Sequence, residues 1–260
     1  MDEIPVTPFA GGCLNQGKIT LLGNTVIRHQ SHPWPRDVGR SLAALSRSGF
    51  DRCPQVLHQP DDKTAILTYM PGHALPDPVP IWAAQPAVLH DVTLLCRRFS
   101  DAAQTVPSPY RRQEDWASEL PSSGGTFLHG DLHPSNIVFD EARKPTAIID
   151  FELATVGPWI WNLTSLLFSW TPFEPVDRTC WRSTPWISRV ERCRQIITVW
   201  QFTENLSALG DAMLEFMQWR YLTFTRLARA GNEVAATHLD PPERAARTSA
   251  VEQLVAEVFR

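Results

Sequence analysis

Residues 1–70 alternate short apolar runs with turn residues. Ile19 to Leu22 and Thr25 to Ile27 are strand-like and are separated by Gly23-Asn24, so residues 17–28 read as a tight β-hairpin. Pro33 and Pro35 break the chain, and a different period follows. In DVGRSLAALSRSG, Val38, Leu42 and Leu45 recur at helical spacing, and Gly49 supplies a C-terminal stop. Gln55 to His58 and Thr64 to Met70 return to strand-like patterning, with Asp61-Asp62 turning between them. Antiparallel strands with one helix among them predict a small α+β lobe.

Met70-Pro71-Gly72 and the prolines of residues 74–80 punctuate the chain, which divides it into an N-terminal lobe, 1–70, and a C-terminal lobe, 71–260. The second part is mostly helical in period. Ala87 to Val106 carries an apolar stripe through Val88, Leu95 and Phe99, extended by Val92 and Ala102. Residues 191–209, 211–230 and 242–259 each predict a helix, and Trp161–Trp170 (WNLTSLLFSW) predicts a buried one. Short strands interrupt this pattern at Phe127-Leu128 and in a hairpin, Ile137 to Phe139 and Thr146 to Ile149, turned by residues 141–145.

Composition narrows the function class mainly by exclusion. A hydrophobic share of 43% with 20% charged residues is that of a folded chain. A net charge of −4 gives no electrostatic reason to expect nucleic acid or an anionic membrane as partner. Arg189, Arg192 and Arg194 read as a solvated helix face in preference to a phosphate-binding patch. The five cysteines, Cys13, Cys53, Cys96, Cys180 and Cys193, show no paired spacing, which argues against a disulfide framework and a zinc site. No apolar run approaches the roughly 18 residues that span a bilayer. The opening MDEIPVTPFAGG lacks the basic and apolar regions of a signal peptide, so a cytoplasmic protein is expected. Trp159, Trp161, Trp170, Trp181, Trp186 and Trp200 crowd one part of the chain; core packing is favoured over an aromatic-walled pocket.

The chemistry concentrates between Phe127 and Glu152, FLHGDLHPSNIVFDEARKPTAIIDFE. Gly130 permits a sharp bend after a short strand, Asp131 projects from the loop, and Asn136 precedes the hairpin that returns Asp150 beside it. A loop carboxylate, a downstream amide and a second carboxylate meet the needs of phosphoryl transfer from a nucleotide. Asp131 takes the proton of an attacking hydroxyl, and Asn136 and Asp150 supply hard oxygens for Mg2+. His129 joins this set as a histidine that fixes the loop by hydrogen bonds, and His133 as either a loop anchor or a donor near the phosphates. A competing arrangement takes His129, Asp131 and His133 as an alternating metal cluster for hydrolysis, but no further His/Asp cluster accompanies it.

HGDLHPSN (His129 to Asn136) followed by IIDFE (Ile148 to Glu152) resembles the aminoglycoside phosphotransferase and choline kinase-like family, relatives of the protein kinases. Gly23 to Arg28, Gly49-Phe50-Asp51, Tyr69 to Gly72 and Gly157 to Trp161 fall in family order. The resemblance implies an α+β, two-lobed, protein-kinase-like fold: a small antiparallel sheet lobe with one helix, and a larger, mainly helical lobe bearing the catalytic loop and acceptor pocket. It implies ATP or GTP as donor, a hydroxyl of a small molecule or peptide as acceptor, Asp131 as base, and Mg2+ on Asn136 and Asp150. Thr68, Tyr69 and Met70 would form the hinge against the purine, and Arg28 would meet the phosphates. The acceptor pocket would be shaped by residues 85–101 and 160–260, where Glu174, Asp177, Glu191, Glu204, Asp211 and Glu215 lie among arginines and tryptophans, a mixture better suited to an amphipathic acceptor than to a polycation. Three departures stand out. The glycine-rich loop is reduced to Gly11-Gly12, the basic residue is Arg28 with only Asp37 and Ser46 on the following helix, and Asn162 stands where the family often has Asp. They sustain an alternative, a pseudokinase that binds nucleotide, peptide or protein without turnover.

Overall fold

The computed structural model describes residues 6–8, 19–29, 36–61, 63–106, 125–172, 179–184, 188–237, 239 and 241–259. Gly11-Gly12, Cys13, Pro33, Pro35, Asp62, Glu174, Asp177 and Trp186, and the side chain of Asp37, lie outside them.

The expected hairpin forms as β2 (Ile19–Leu22) and β3 (Thr25–His29), with Ile19 opposite Arg28 and Leu22 opposite Thr25. It sits inside a five-stranded antiparallel sheet ordered β1-β2-β3-β5-β4, with β1 (Val6–Pro8), β4 (Val56–His58) and β5 (Thr64–Thr68). The sequence pattern did not reveal β1. Helix α1 (Arg36–Arg47) buries Val38, Leu42 and Leu45, the stripe its period predicts. Gly49, at φ +91°, ends it by letting Phe50 N–H turn back to the Leu45 carbonyl at 3.0 Å.

In the larger lobe, α2 (Pro86–Thr105) is the central helix and packs on α3 (Ile160–Trp170) and α4 (Arg189–Trp200). Its buried face is Leu89, Val92, Leu95, Cys96, Phe99 and Ala103, whereas Val88 sits at the margin. Two small sheets carry the loop chemistry. One is β6 (His73–Ala74), β8 (Ile137–Phe139) and β9 (Pro145–Ile148), the other β7 (Thr126–Leu128) with β10 (Thr155–Gly157). Helices α5 (Leu206–Arg229), α6 (Glu233–Thr237) and α7 (Pro241–Val258) complete the lobe.

The expected helix over 191–209 is a misreading. Gln201 adopts the left-handed conformation (φ 57°) and closes α4, while the Asn205 side chain accepts from Ser207 N–H and opens α5 five residues earlier than the pattern suggested. A 24-residue α5 is therefore about 36 Å long. The short α6 also went unread.

One ring joins the lobes. Phe99 lies 5.6 Å from Phe50, 6.4 Å from Phe127, 5.9 Å from Phe151 and 6.3 Å from the His129 ring. The Phe50 segment is further tied to the large lobe by Ile148 N–H, which donates to the Arg52 carbonyl at 2.9 Å. Full burial of such a ring contributes roughly 1.5–3 kcal/mol, and here it braces the loop that carries the site.

The tryptophans resolve mainly as core: Trp161, Trp170, Trp181 and Trp200 are buried, and Trp159 leans on Phe202. Arg189, Arg192 and Arg194 do not share a solvated face. Arg192 is buried, donating to the Trp170 and Ala84 carbonyls beneath the Trp181 ring, whereas Arg189 pairs with Glu257 and Arg194 is exposed. A charged residue beside apolar ones looks solvated in a pattern; a long stem that reaches two carbonyls defeats that reading. The described cysteines, Cys53, Cys96, Cys180 and Cys193, are free thiols. Among the described residues no helix is long and apolar enough to cross a membrane.

Candidate active site

The loop after β7 is held from below by polar side chains that the core hides. His129 is fully buried and sits against Phe151 at 4.5 Å between centroids. Its Nδ1 accepts from Asp131 N–H (3.2 Å), which places its proton on Nε2, facing the Ile149 carbonyl at 2.8 Å. Burial holds this imidazole below its ordinary pKa, against the opposing pull of the Ile149 carbonyl and nearby Asp131. His129 is thus a neutral brace joining the loop of Asp131 to the strand end of Asp150. Gly130 has φ +79°, and a Cβ there would collide with the Leu153 carbonyl.

Asn162 explains its own departure from the family pattern. It is fully buried, its Oδ1 accepts from His129 N–H (3.3 Å), and its Nδ2 faces the Phe127 carbonyl (3.4 Å) and Ser100 Oγ (3.5 Å). An amide can accept and donate at once, whereas a carboxylate would meet the Phe127 carbonyl with repulsion. Ser165 Oγ and Trp170 Nε1–H bind the backbone of Leu132, fixing the next residue.

Asp131 and Asn136 are brought together. Asn136 Nδ2 donates to the Asp131 carbonyl at 2.9 Å and to its Oδ2 at 3.2 Å, which turns Asn136 Oδ1, the atom a cation needs, away from Asp131. Asp131 Oδ1 accepts from Arg220 Nη1 on α5 at 2.7 Å, and the same nitrogen donates to the Gly130 carbonyl at 3.0 Å. Burial would raise the Asp131 pKa, but Arg220 with smaller help from His133 outweighs it and holds the carboxyl below its ordinary range. His133 serves as a loop anchor: its Nδ1 caps the short 3-10 turn at Pro134–Asn136, contacting Ser135 Oγ (2.8 Å) and Ser135 N–H (3.3 Å).

The hairpin returns Asp150 as expected, and Ile149 N–H donates to the Asn136 carbonyl at 2.9 Å. Asp150 is itself left-handed (φ 65°) and starts a 3-10 turn, Phe151–Leu153. That turn delivers a residue the sequence reading missed. Arg28 Nη2 bonds Asp150 Oδ1 at 2.7 Å and Glu152 Oε2 at 3.0 Å, with Arg28 and Glu152 each 4% exposed. Glu152 thus supplies Arg28 with a glutamate partner, where the following helix offered only Asp37 and Ser46. The signal was present, a carboxylate two residues after Asp150, but spacing alone does not say that one 3-10 turn aims both at the same guanidinium. Burial opposes the charge on Arg28, and the two carboxylates overcome it, raising its pKa.

Arg28, Asn136 and Asp150 line a cleft between the lobes. Apolar Ile19, Val26, Leu67, Val138 and Ile149 line it too, as do Thr68, Tyr69 and Met70. The N–H groups of Thr68 and Tyr69 are already given to the Gln55 and Asn24 carbonyls. A second cavity of about 340 Å3 lies beyond Arg220, between α3, α5 and α7. Of the acidic residues expected to shape an acceptor pocket, Glu191, Glu204, Asp211 and Glu215 are exposed and do not line it; Glu252 does. Among the described residues no three His, Cys, Asp or Glu side chains gather as a metal-holding group, and the alternating His129, Asp131, His133 cluster is not assembled.

Comparison with known proteins agrees with this fold. The model of the phosphotransferase enzyme family matches residues 22–183, and the chain belongs to that family. The fold is shared with solved kinases at low identity. The microcompartment-associated aminopropanol kinase superposes with a TM-score of 0.60 at 15% identity, covering 100% of this chain and 95% of that one. A choline/ethanolamine kinase family protein from Mesorhizobium loti gives 0.53 at 15%, covering 96% and 92%. The GDP complex of aminoglycoside 2'-phosphotransferase-IIIa gives 0.50 at 14%, covering 98% and 94%. No curated protein matches the chain in sequence. The molecule is thus a phosphotransferase-family protein with a two-lobed, protein-kinase-like α+β fold.

Proposed function

We propose that this chain moves the γ-phosphoryl group of ATP or GTP to an alcohol hydroxyl. The observation that carries the reading is the gathering of Asp131, Asn136 and Asp150 between an apolar interlobe cleft and a second cavity. The nucleotide base fits the apolar walls beside Thr68, Tyr69 and Met70, with its phosphates toward Arg28. Asn136 Oδ1 and the Asp150 carboxylate are hard oxygen donors on one wall, a donor set that suits Mg2+, which completes its shell with phosphate and water. Bound there, Mg2+ would neutralise charge on the phosphate oxygens.

The acceptor hydroxyl approaches Asp131, whose carboxylate stays ionised well below neutral pH. The hydroxyl oxygen forms a bond to the γ-phosphorus, the bond from phosphorus to the bridging oxygen of the diphosphate breaks, and the hydroxyl proton passes to Asp131. A carboxylate held below its usual pKa is a feeble base. That is adequate for a loose transfer in which the proton leaves late and positioning dominates. A cavity of about 340 Å3 lies within the range of small-molecule sites, which favours a small acceptor over a folded one.

A pseudokinase is the second reading, and one observation favours it. Both key carboxylates are engaged by arginines, Asp131 by Arg220 and Asp150 by Arg28. Thermal shifts with ATP or GTP, each with and without Mg2+, separate the two when combined with acceptor-free hydrolysis. A kinase gives a Mg2+-dependent shift that Asp150→Ala abolishes, and slow hydrolysis that Asp131→Asn abolishes while its nucleotide shift persists. A ligand at 100 times its Kd stabilises by about 2.7 kcal/mol, enough to read clearly. A nucleotide shift with no hydrolysis is the pseudokinase result, and full activity in Asp131→Asn removes Asp131 as the base.

A further inference from the structure

We infer that the cavity between α3, α5 and α7 selects an acceptor bearing an anionic group, a carboxylate or phosphate placed a few bonds from the hydroxyl, on an apolar body. The inference rests on the phosphotransfer reading of Asp131 for its hydroxyl, but its binding half stands on Arg220 alone.

Arg220 has a divided guanidinium. Nη1 is spent on the catalytic loop, at 2.7 Å from Asp131 Oδ1 and 3.0 Å from the Gly130 carbonyl. Two rings lie against the group, Phe168 at 5.4 Å and Phe224 at 5.3 Å from Cζ. Nε–H and the two N–H bonds of Nη2 have no hydrogen-bond partner among the described residues, and the side chain is 16% exposed and lines the cavity. The N–H bonds left over lie in the guanidinium plane, so a ligand that accepts from them meets the group in that plane. The edge formed by Nε and Nη2 is the fork that holds a planar carboxylate, or two oxygens of a phosphate, through paired hydrogen bonds. Ring stacking also fixes the fork, so little ordering remains when the ligand arrives.

The rest of the described wall carries one cation and one carboxylate, which leaves the choice of charge to Arg220. Arg247 also lines the cavity, and Glu252 is the one carboxylate among its described lining residues. An ammonium group entering beside Asp131 would meet Arg220 on its way and find that carboxylate already paired. The distances set the acceptor's shape. A hydroxyl within reach of Asp131 and an anion on the far edge of the same guanidinium are separated by little more than the width of that group. β- and γ-hydroxy acids satisfy this, and Phe168, Phe224, Leu214 and Met217 offer apolar surface for the remaining body. The product is the phosphate ester of that hydroxyl, formed by the transfer described above.

The test uses the full chain and a panel of short β- and γ-hydroxy acids, headed by β-hydroxy-β-phenylpropanoate, each beside its neutral amide and its matching amino alcohol. Phosphate-bearing alcohols of similar size form a separate arm. Binding is read by calorimetry, and transfer by labelled γ-phosphoryl from ATP or GTP. The expected result is a kcat/KM at least tenfold higher for acids or phosphate-bearing alcohols than for amides and amino alcohols. Arg220→Lys, which keeps the charge and loses the fork, should raise KM for acids at least tenfold more than for amides, since the loss of Asp131's partner falls on both alike. The more active arm identifies which anion is taken. Amino alcohols that match or exceed the acids overturn the inference, as does failure of every anionic compound to bind at millimolar concentration. Absence of both nucleotide binding and transfer defeats the phosphotransfer reading; anion binding that Arg220→Lys abolishes then leaves the cavity assignment standing. Because the preference is read in the wild type, a poorly folded variant does not rescue a failed prediction.

Discussion

Replacing Arg28 with Met removes the guanidinium that Asp150 and Glu152 share, at 2.7 and 3.0 Å. Both hydrogen bonds are charge-assisted, worth about 1.5–3 kcal/mol each. Glu152 is 4% exposed and cannot turn to water, whereas Asp150 at 19% can recover part of its hydration. The cost should therefore fall near 3–5 kcal/mol, the range for breaking a buried pair from one side. Glu152→Leu alone should cost less, about 1–3 kcal/mol, because Arg28 keeps Asp150. The double variant Arg28→Met, Glu152→Leu removes cation and buried anion together, and well-packed apolar replacements of buried pairs are often nearly neutral. It should return to within about 2 kcal/mol of wild type, giving a coupling of at least about 2 kcal/mol between the two positions. Urea unfolding of the four proteins at neutral pH measures this, provided the slopes with denaturant agree. Nucleotide-induced stabilisation should be lost in both Arg28 variants, including the double variant whose stability returns. Additive effects within about 0.5 kcal/mol would refute the shared-guanidinium account. Nucleotide binding restored along with stability would show that Arg28 serves the fold and not the phosphates.

Two further predictions concern the loop. Gly130→Ala forces an L side chain to φ +79° and its Cβ into the Leu153 carbonyl, so it should cost at least about 2 kcal/mol in urea unfolding and lower transfer more than nucleotide binding. His129 is buried neutral with its pKa held below the ordinary value of about 6.5. The unfolded chain therefore binds this proton first: its stabilisation is complete above about pH 6.5 and declines as pH falls toward the depressed folded value, by up to about 1.4 kcal/mol per pH unit. Unfolding midpoints measured between pH 7.5 and 5.5 should show this decline, and His129→Asn should make it shallower by that amount; an unchanged slope would contradict the neutral brace.

What could be read in the sequence was local. The helical stripe of Val38, Leu42 and Leu45, the Gly23-Asn24 hairpin and the loop from His129 to Asn136 each depend on neighbours a few residues apart, and each formed as read. Asp150 arrived beside Asn136 because a short hairpin leaves few other places for it. What stayed hidden was set by distant packing. Arg220 reaches Asp131 across 89 positions, from a helix whose start the pattern misplaced. Glu152 was quoted within the motif, yet nothing in its spacing announced Arg28 as its partner. Arg192 was misread because a period of charged residues signals a solvated face only when no carbonyl lies within reach of the stem.

The tie between the Phe50 segment and the large lobe has a mechanical consequence. The lobes are joined covalently near Thr68 to Met70 and, separately, through the Phe50–Phe99 contact and the bond from Ile148 to Arg52. Two anchors define an axle. Were a nucleotide to enter the cleft as proposed, the sheet would swing about that line, with the chain near Phe50 hardly moving and the far strands β1, β2 and β3 moving most. Arg28, riding on β3, would travel with the hairpin, so each opening would pull its guanidinium off Asp150 and each closure would set it back.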